Sequence, residues 1–149
     1  QIDAGGSHDP RNAQQMIAKL YAGYDLVIGS RFCRGAQYIG NPKRKWMSRF
    51  AAVMCNFAQH GARYRDWTSG YRGFSALACK RLLEHTYYAT MHGVQIETLA
   101  HAGEMGLKII EVPITYTAGR SSFNRKVAWE AFNVWLHIID HIGRVKKPR

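Results

Sequence analysis

Three groupings of polar side chains in this 149-residue sequence have types and spacing suited to chemistry. The first is Asp3, within the run Gln1–Pro10 (QIDAGGSHDP). It stands at what reads as the C-terminal end of a strand, where ligands and metals collect in α/β proteins. A carboxylate there can hold Mg²⁺ or Mn²⁺ against a diphosphate, because hard cations take oxygen ligands. The alternative is an ordinary loop aspartate. The second grouping lies between Asp25 and Asp66. It holds eight basic residues (Arg31, Arg34, Lys43, Arg44, Lys45, Arg49, Arg63, Arg65) and no carboxylate. Arg44 and Ser48 are four apart, on one helical face, and guanidinium plus hydroxyl is suited to gripping a phosphate. The third is Asp66-Trp67-Thr68-Ser69-Gly70-Tyr71-Arg72. Gly70 permits a tight turn, and Asp66 and Ser69 have oxygens to offer a ligand, although a purely structural turn fits as well.

Other catalytic patterns are absent from the sequence. His8, His60, His85, His92, His101, His137 and His141 show no metalloprotease spacing and no paired Cys/His spacing. His137 and His141 are four apart and form either a shared metal site or a half-exposed pair on a helix. No nucleophile elbow, Walker loop or dinucleotide fingerprint occurs. Cys33, Cys55 and Cys79 are odd in number and widely spaced, which argues against a disulfide framework and against zinc and suits a reducing compartment.

The elements that must position these groups follow from apolar periodicity. Gln1–Ala4 reads as a strand end, and Asp9-Pro10 as an N-cap with proline at the first helical position. A helix over Gln14–Ala22 and a buried strand over Tyr24–Ile28 complete a βαβ pattern, which predicts a parallel sheet. Ser30–Pro42 reads as loop. Lys43–His60 reads as a helix with Trp46, Phe50, Val53, Met54 and Phe57 on one face. A basic start followed by an apolar stripe fits either a helix at a membrane interface or a core helix with a solvated basic end. Further helices are expected at Ser75–His85 and Val94–Glu104. Lys108–Tyr116 reads as strand, with Pro113 marking a bulge or an edge. Arg125–Ile142 reads as a long amphipathic helix carrying Trp129, Phe132, Trp135, Leu136 and Ile139, followed by a frayed basic tail over Arg144–Arg149.

Composition bounds the class. The chain is 46% hydrophobic and 21% charged, which excludes global disorder, collagen and a coiled-coil rod. Its net charge of +11 calls for a polyanionic partner: nucleic acid, an anionic membrane or a phosphorylated molecule. No apolar run reaches the ~20 residues of a membrane-spanning helix, and Gln1-Ile2-Asp3 shows no signal-peptide pattern. With no initiator methionine, the chain reads as a piece of something longer.

In order, these motifs resemble glycosyltransferase family 2, and within it the dolichyl-phosphate mannosyltransferase-like group of polyprenyl-phosphate sugar synthases. That family has an Asp-x-Asp-x-x-His-x-Pro motif, here QIDAGGSHDP; a strand ending Gly-Ser-Arg, here DLVIGSR over Asp25–Arg31; and an Arg-x-x-x-Ser-Arg helix, here Arg44–Arg49. Asp-x-x-Ser-Gly-Tyr-Arg follows at Asp66–Arg72, then Gln95-Ile96-Glu97 and Glu111-Val112-Pro113-Ile114. The resemblance spans residues 1–128.

It implies a GT-A fold (Rossmann-like α/β), of which this chain is the C-terminal portion without the nucleotide-binding half. It also implies a GDP- or UDP-sugar donor, Mg²⁺ or Mn²⁺, and a polyprenyl phosphate acceptor, with sugar transfer by inversion. On this reading Asp3 and Asp66 are the catalytic candidates, and Asp3 and Ser7 the metal ligands. Arg31, Arg44, Ser48 and Arg120 grip the acceptor phosphate, and Ser69, Gly70, Arg72, Gln95 and Glu97 are motif positions. Gly5 stands where the family has its second metal-motif aspartate, and Ser122 where its loop lysine would be. The helix at 125–143 and the basic tail at 144–149 imply peripheral contact with the cytoplasmic face of a membrane. Other readings are a family 2 transferase with a polysaccharide acceptor, a degenerate inactive homologue, and a basic nucleic-acid-binding module. The last lacks any nucleic-acid motif, so no nucleic acid is expected as partner.

Overall fold

The computed structural model describes residues 1–3, 5–59, 63–90, 93–119 and 125–145, with side chains of the last segment over 129–140. Asp9 caps a 3₁₀ turn at Pro10–Asn12 by accepting the Arg11 N–H, and helix α1 (Ala13–Tyr21) follows. Only Met16 of α1 is fully buried. Strand β1 (Leu26–Ser30) is buried along its whole length, as its unbroken apolar run predicts. A short strand β2 (Gln37–Ile39) leads to helix α2 (Pro42–Ala58), capped by Asn41 with Pro42 at its first position. Strand β3 (Arg72–Phe74) and helix α3 (Ala76–Leu83) come next, the helix capped by Ser75. Helix α4 (Val94–Glu104), strands β4 (Ile109–Pro113) and β5 (Thr115–Thr117), and helix α5 (Arg125–Val145) complete the order.

The fold is mixed α/β. β1 is the middle strand of a three-stranded sheet in the order β3-β1-β4. It runs parallel to β4, Leu26 facing Ile109 and Ser30 facing Pro113. It runs antiparallel to β3, Leu26 facing Phe74. The expected all-parallel sheet is therefore corrected to a mixed one. Pro113 falls at the end of the outer strand β4. The expected loop over Ser30–Pro42 contains β2, which pairs in parallel with β5 through Gln37–Thr115, Tyr38–Tyr116 and Ile39–Thr117. Of the expected strand at Gln1–Ala4, Ala4 lies outside the described residues, and Gln1 makes one residue pair with Arg72. Gln1 donates to the Arg72 carbonyl at 2.8 Å and accepts its N–H at 3.0 Å.

The main core lies between the sheet and the helices. Leu26, Ile28, Trp67, Leu82, Leu99 and Val134 are among its buried residues. The face that α2 turns to this core carries small residues, Ala52, Cys55 and Ala58. Its large apolar residues are outside: Trp46 is 70% exposed, Phe50 67%, Val53 65% and Phe57 79%. These four stripe residues do not pack in this core, and the fifth, Met54, is half-buried. α5 repeats the pattern. Val134 and Ile138 are buried, while Trp129, Phe132, Leu136 and Ile139 face out. The two helices meet where the Trp135 indole N–H donates to the Met54 carbonyl at 3.0 Å. α5 runs to Val145, past the start of the expected tail.

Candidate active site

The site is organised by a buried ion pair. Just beyond β1, the Asp66 carboxylate is fully buried and receives three donors from Arg31. The Arg31 backbone N–H and Nε reach Oδ2 at 2.8 Å each, and Nη2 reaches Oδ1 at 2.6 Å. Nη2 also donates to Thr68 Oγ1 at 2.6 Å. Such a fork-on-carboxylate contact fixes the guanidinium plane as well as its position. The same guanidinium lies over the rings of Phe32 and Tyr116, at 5.1 and 5.2 Å from their centroids. Asp66 is itself held by β4: its N–H donates to Glu111 Oε1 at 2.9 Å, and the Arg65 N–H donates to both Glu111 oxygens. Burial pushes the Glu111 carboxyl above the ordinary range, and the donated N–H groups only partly restrain it.

The 66–72 motif takes the structural-turn alternative, its polar groups turned inward. Both Asp66 oxygens are engaged by Arg31. Ser69 Oγ donates to the Gly29 carbonyl at 2.6 Å and accepts the Tyr71 N–H. Arg72 is buried, its Nε and Nη2 donating to the carbonyls of Ser69 and Trp67. Glu97 is likewise internal, accepting the N–H groups of Tyr88 and Ala89 at 2.8 Å each. Gln95 sits half-buried at the start of α4. Among the described contacts, none joins Gln95 or Glu97 to Asp3 or Arg31.

Gly70 does reach the site. A Cβ on it would lie 2.6 Å from Asp3 Oδ1, so a larger residue there would push that carboxylate out of its present position. Asp3 is otherwise open, its side chain 59% exposed. Its Oδ2 lies 3.5 Å from Nε2 of His8, whose side chain is 1% exposed. That ring is held between Tyr71 and Tyr116, 5.1 Å from each. Neither ring nitrogen has a hydrogen-bond partner. Burial pushes the imidazole below its ordinary pKa, against the pull of Asp3. Ser7 is half-buried, its carbonyl pinned by the Thr117 N–H at 3.0 Å. Thus Asp3 and Arg31 are brought to one neighbourhood around Tyr116, which stacks on Tyr38 at 5.5 Å. Sequence reasoning gave no role to His8 or Thr68, which lie within quoted motifs, and did not single out Tyr38 or Tyr116. Their contacts cross from one segment to another.

The remaining phosphate candidates sit on α2. Arg44 Nη1 donates to the Gly119 carbonyl at 3.1 Å, tying α2 to the segment after β5. Ser48 is half-buried one turn on. Arg120 and Ser122 lie outside the described residues, as do His60, His92 and the His141 side chain of the His137/His141 pair. His137 stacks on Tyr88 at 5.0 Å. A cleft of about 300 Å³ lined by Tyr38, Gly40, Pro42, Lys45, Trp46 and Arg49 runs beside this end of α2. Among the described residues, no three His, Cys, Asp or Glu side chains cluster as a metal site. The donors near Asp3 therefore fit only a cation that takes part of its shell from elsewhere, as Mg²⁺ does with substrate phosphates.

No family model matches the chain. Individual proteins do. Undecaprenyl-phosphate mannosyltransferase of Micrococcus luteus is 28% identical over 134 residues, covering 88% of this chain and 55% of that protein. Polyprenol monophosphomannose synthase of Mycolicibacterium smegmatis is 30% identical over 118 residues, covering 78% and 44%. Glycosyltransferase AglJ of Haloferax volcanii is 31% identical over 122 residues, covering 77% and 37%. Over more than three quarters of its length the chain is thus similar to glycosyltransferases, two of them named for polyprenyl-phosphate acceptors. It spans about half the length, or less, of these relatives. Among the described residues no helix is long and apolar enough to cross a membrane.

Proposed function

We propose that the chain is the metal-motif and acceptor portion of an enzyme that moves a hexose from a GDP- or UDP-sugar to a polyprenyl phosphate. On this reading the mixed sheet is part of a GT-A fold. The observation that carries the proposal is the Arg31 guanidinium, locked by buried Asp66 and set in the same neighbourhood as exposed Asp3. That juxtaposes an anion grip and a cation-binding carboxylate. The names of the relatives support the choice of acceptor and sugar transfer.

The reaction asks little of a general base. A phosphate monoester has its second pKa near about 6 and is largely dianionic at neutral pH. Its oxygen attacks the anomeric carbon from the face opposite the leaving group. The new carbon–oxygen bond forms as the old one breaks, the electron pair departs with the nucleoside diphosphate, and the configuration inverts. Arg31, Arg44 and Ser48 orient the attacking phosphate, with Arg120 assigned the same role from the sequence. Asp3 and Ser7 would hold Mg²⁺ or Mn²⁺, which when bound would supply charge stabilisation for the departing diphosphate. The outward faces of α2 and α5, with Lys43, Lys45 and Arg49 on α2, lie on the cytoplasmic surface of a membrane and keep the prenyl chain beside its phosphate site. The test is full-length protein with radiolabelled GDP- and UDP-sugars and a short polyprenyl phosphate. Label partitioning into the organic phase is expected. Label found only in water-soluble product overturns the proposal and favours a polysaccharide acceptor.

A further inference from the structure

The family's metal motif uses a second aspartate where this chain has Gly5, so one oxygen donor is missing from the sequence. The structure offers another atom nearby. His8 Nε2 is buried, has no hydrogen-bond partner and lies 3.5 Å from Asp3 Oδ2. That distance is long for a hydrogen bond, and a buried imidazole that bonds nothing is costly. It is a natural spacing for two atoms sharing a cation. A metal about 2.1 Å from each would subtend roughly 110° between them, within the range of tetrahedral and distorted octahedral sites. The ring is already oriented, clamped between Tyr71 and Tyr116, and the His8 backbone is bridged to Tyr116.

We infer that His8 Nε2 and Asp3 Oδ2 together ligate the divalent cation, with His8 taking the place vacated at Gly5. The consequence is a changed metal preference. Two carboxylates favour hard Mg²⁺, whereas a carboxylate with an imidazole favours Mn²⁺, Co²⁺ and Zn²⁺. Two protein ligands leave the rest of the shell to water, Ser7 and the donor diphosphate, consistent with the absence of a larger cluster among the described residues. Gly5 keeps the vacated space open: a Cβ there would meet only Ser7 Oγ, at 4.0 Å.

This inference rests on the proposed metal role of Asp3, but it is read without turnover. Full-length protein is titrated with Mn²⁺ alone and followed by electron paramagnetic resonance, with Mg²⁺ and Zn²⁺ as competitors. Bound Mn²⁺ is expected to show nitrogen hyperfine coupling and to be displaced by Zn²⁺ far more readily than by Mg²⁺. His8→Gln should abolish the nitrogen coupling and weaken binding by about tenfold or more, since even outer-shell partners of metal ligands are worth 10–100-fold. Because His8 is packed between two rings, Asp3→Asn provides a second arm at an exposed position. It too should lose nitrogen-coupled Mn²⁺. Gly5→Asp should improve Mg²⁺ competition. Mn²⁺ bound without nitrogen coupling, coupling that survives Asp3→Asn, or no binding at millimolar metal each overturns the inference. Nitrogen-coupled Mn²⁺ in a protein that transfers no sugar would leave it standing and sink the proposed function instead. Active protein with oxygen-only Mn²⁺ would do the reverse.

Discussion

Asp66→Asn isolates the interaction on which the site is built. The substitution keeps shape and an acceptor oxygen but removes the charge that faces Arg31. Asp66 is fully buried and the Arg31 side chain is 10% exposed, so the guanidinium cannot turn to water without moving β1's exit. Three donors lose a charged acceptor. Removing one partner of a buried ion pair costs about 3–5 kcal/mol, because the other charge is left uncompensated. The retained amide oxygen places the expected loss near the lower end, about 3 kcal/mol, against a typical domain stability of about 5–15 kcal/mol. With a urea dependence of about 2 kcal/mol per molar, the midpoint should fall by roughly 1.5 M. Trp67, buried beside Asp66 with its indole bonded to Asn56, reports the transition by fluorescence. The double variant Arg31→Met/Asp66→Leu replaces the pair with apolar groups and should recover most of the stability while losing acceptor binding. A loss under about 1 kcal/mol for Asp66→Asn, typical of an exposed pair, would refute the reasoning. So would a double variant no more stable than the single.

Gly70→Ala should displace Asp3 through its Cβ clash and weaken Mn²⁺ binding by about tenfold or more, with circular dichroism unchanged because Asp3 is exposed. Combined Trp46→Ser, Phe50→Ser and Phe57→Ser should cut sedimentation with anionic vesicles by about a hundredfold, at about 1 kcal/mol per half-buried ring. The melting temperature should hold, since these side chains contact little of the core. The hydrogen bond that His101 donates to Glu104, with the nearby Glu97 charge, raises the His101 pKa against burial. His101 therefore contributes stability that is fully present below about pH 6.5 and is lost as pH rises through its raised folded value. Urea midpoints for wild type and His101→Gln should converge between pH 5.5 and 8; a constant difference would contradict this.

Local signals in the sequence were enough for the helices and for β1. α4 begins at Val94 and ends at Glu104 as periodicity predicts, because its pattern is self-contained. The period of α2 was legible, but the face it buries was not. Periodicity shows that a face is apolar and does not show what covers it; here Ala52, Cys55 and Ala58 allow close approach and the large residues remain outside. β2 escaped notice because it is three residues long and exists only through β5, which the expected strand over Lys108–Tyr116 ran together with β4. In the site, Arg31 and Asp66 both stood out as chemically able residues. Their spacing of 35 gives no hint that they neutralise each other, so the role of Asp66 needed the fold. His8 matched the histidine of the family motif but was given no role, since burial without a hydrogen bond is visible only in three dimensions.

The carboxylates have a consequence for the whole molecule. Of the ten acidic residues, at least six accept backbone N–H groups among the described contacts: Asp9, Asp25, Asp66, Glu97, Glu111 and Glu130. They act as rivets for loops, several of them turned away from solvent. The field felt by an approaching anion is thus set mainly by lysines and arginines, with little counter-charge among them, and it draws anionic ligands in from a distance that shrinks as salt rises.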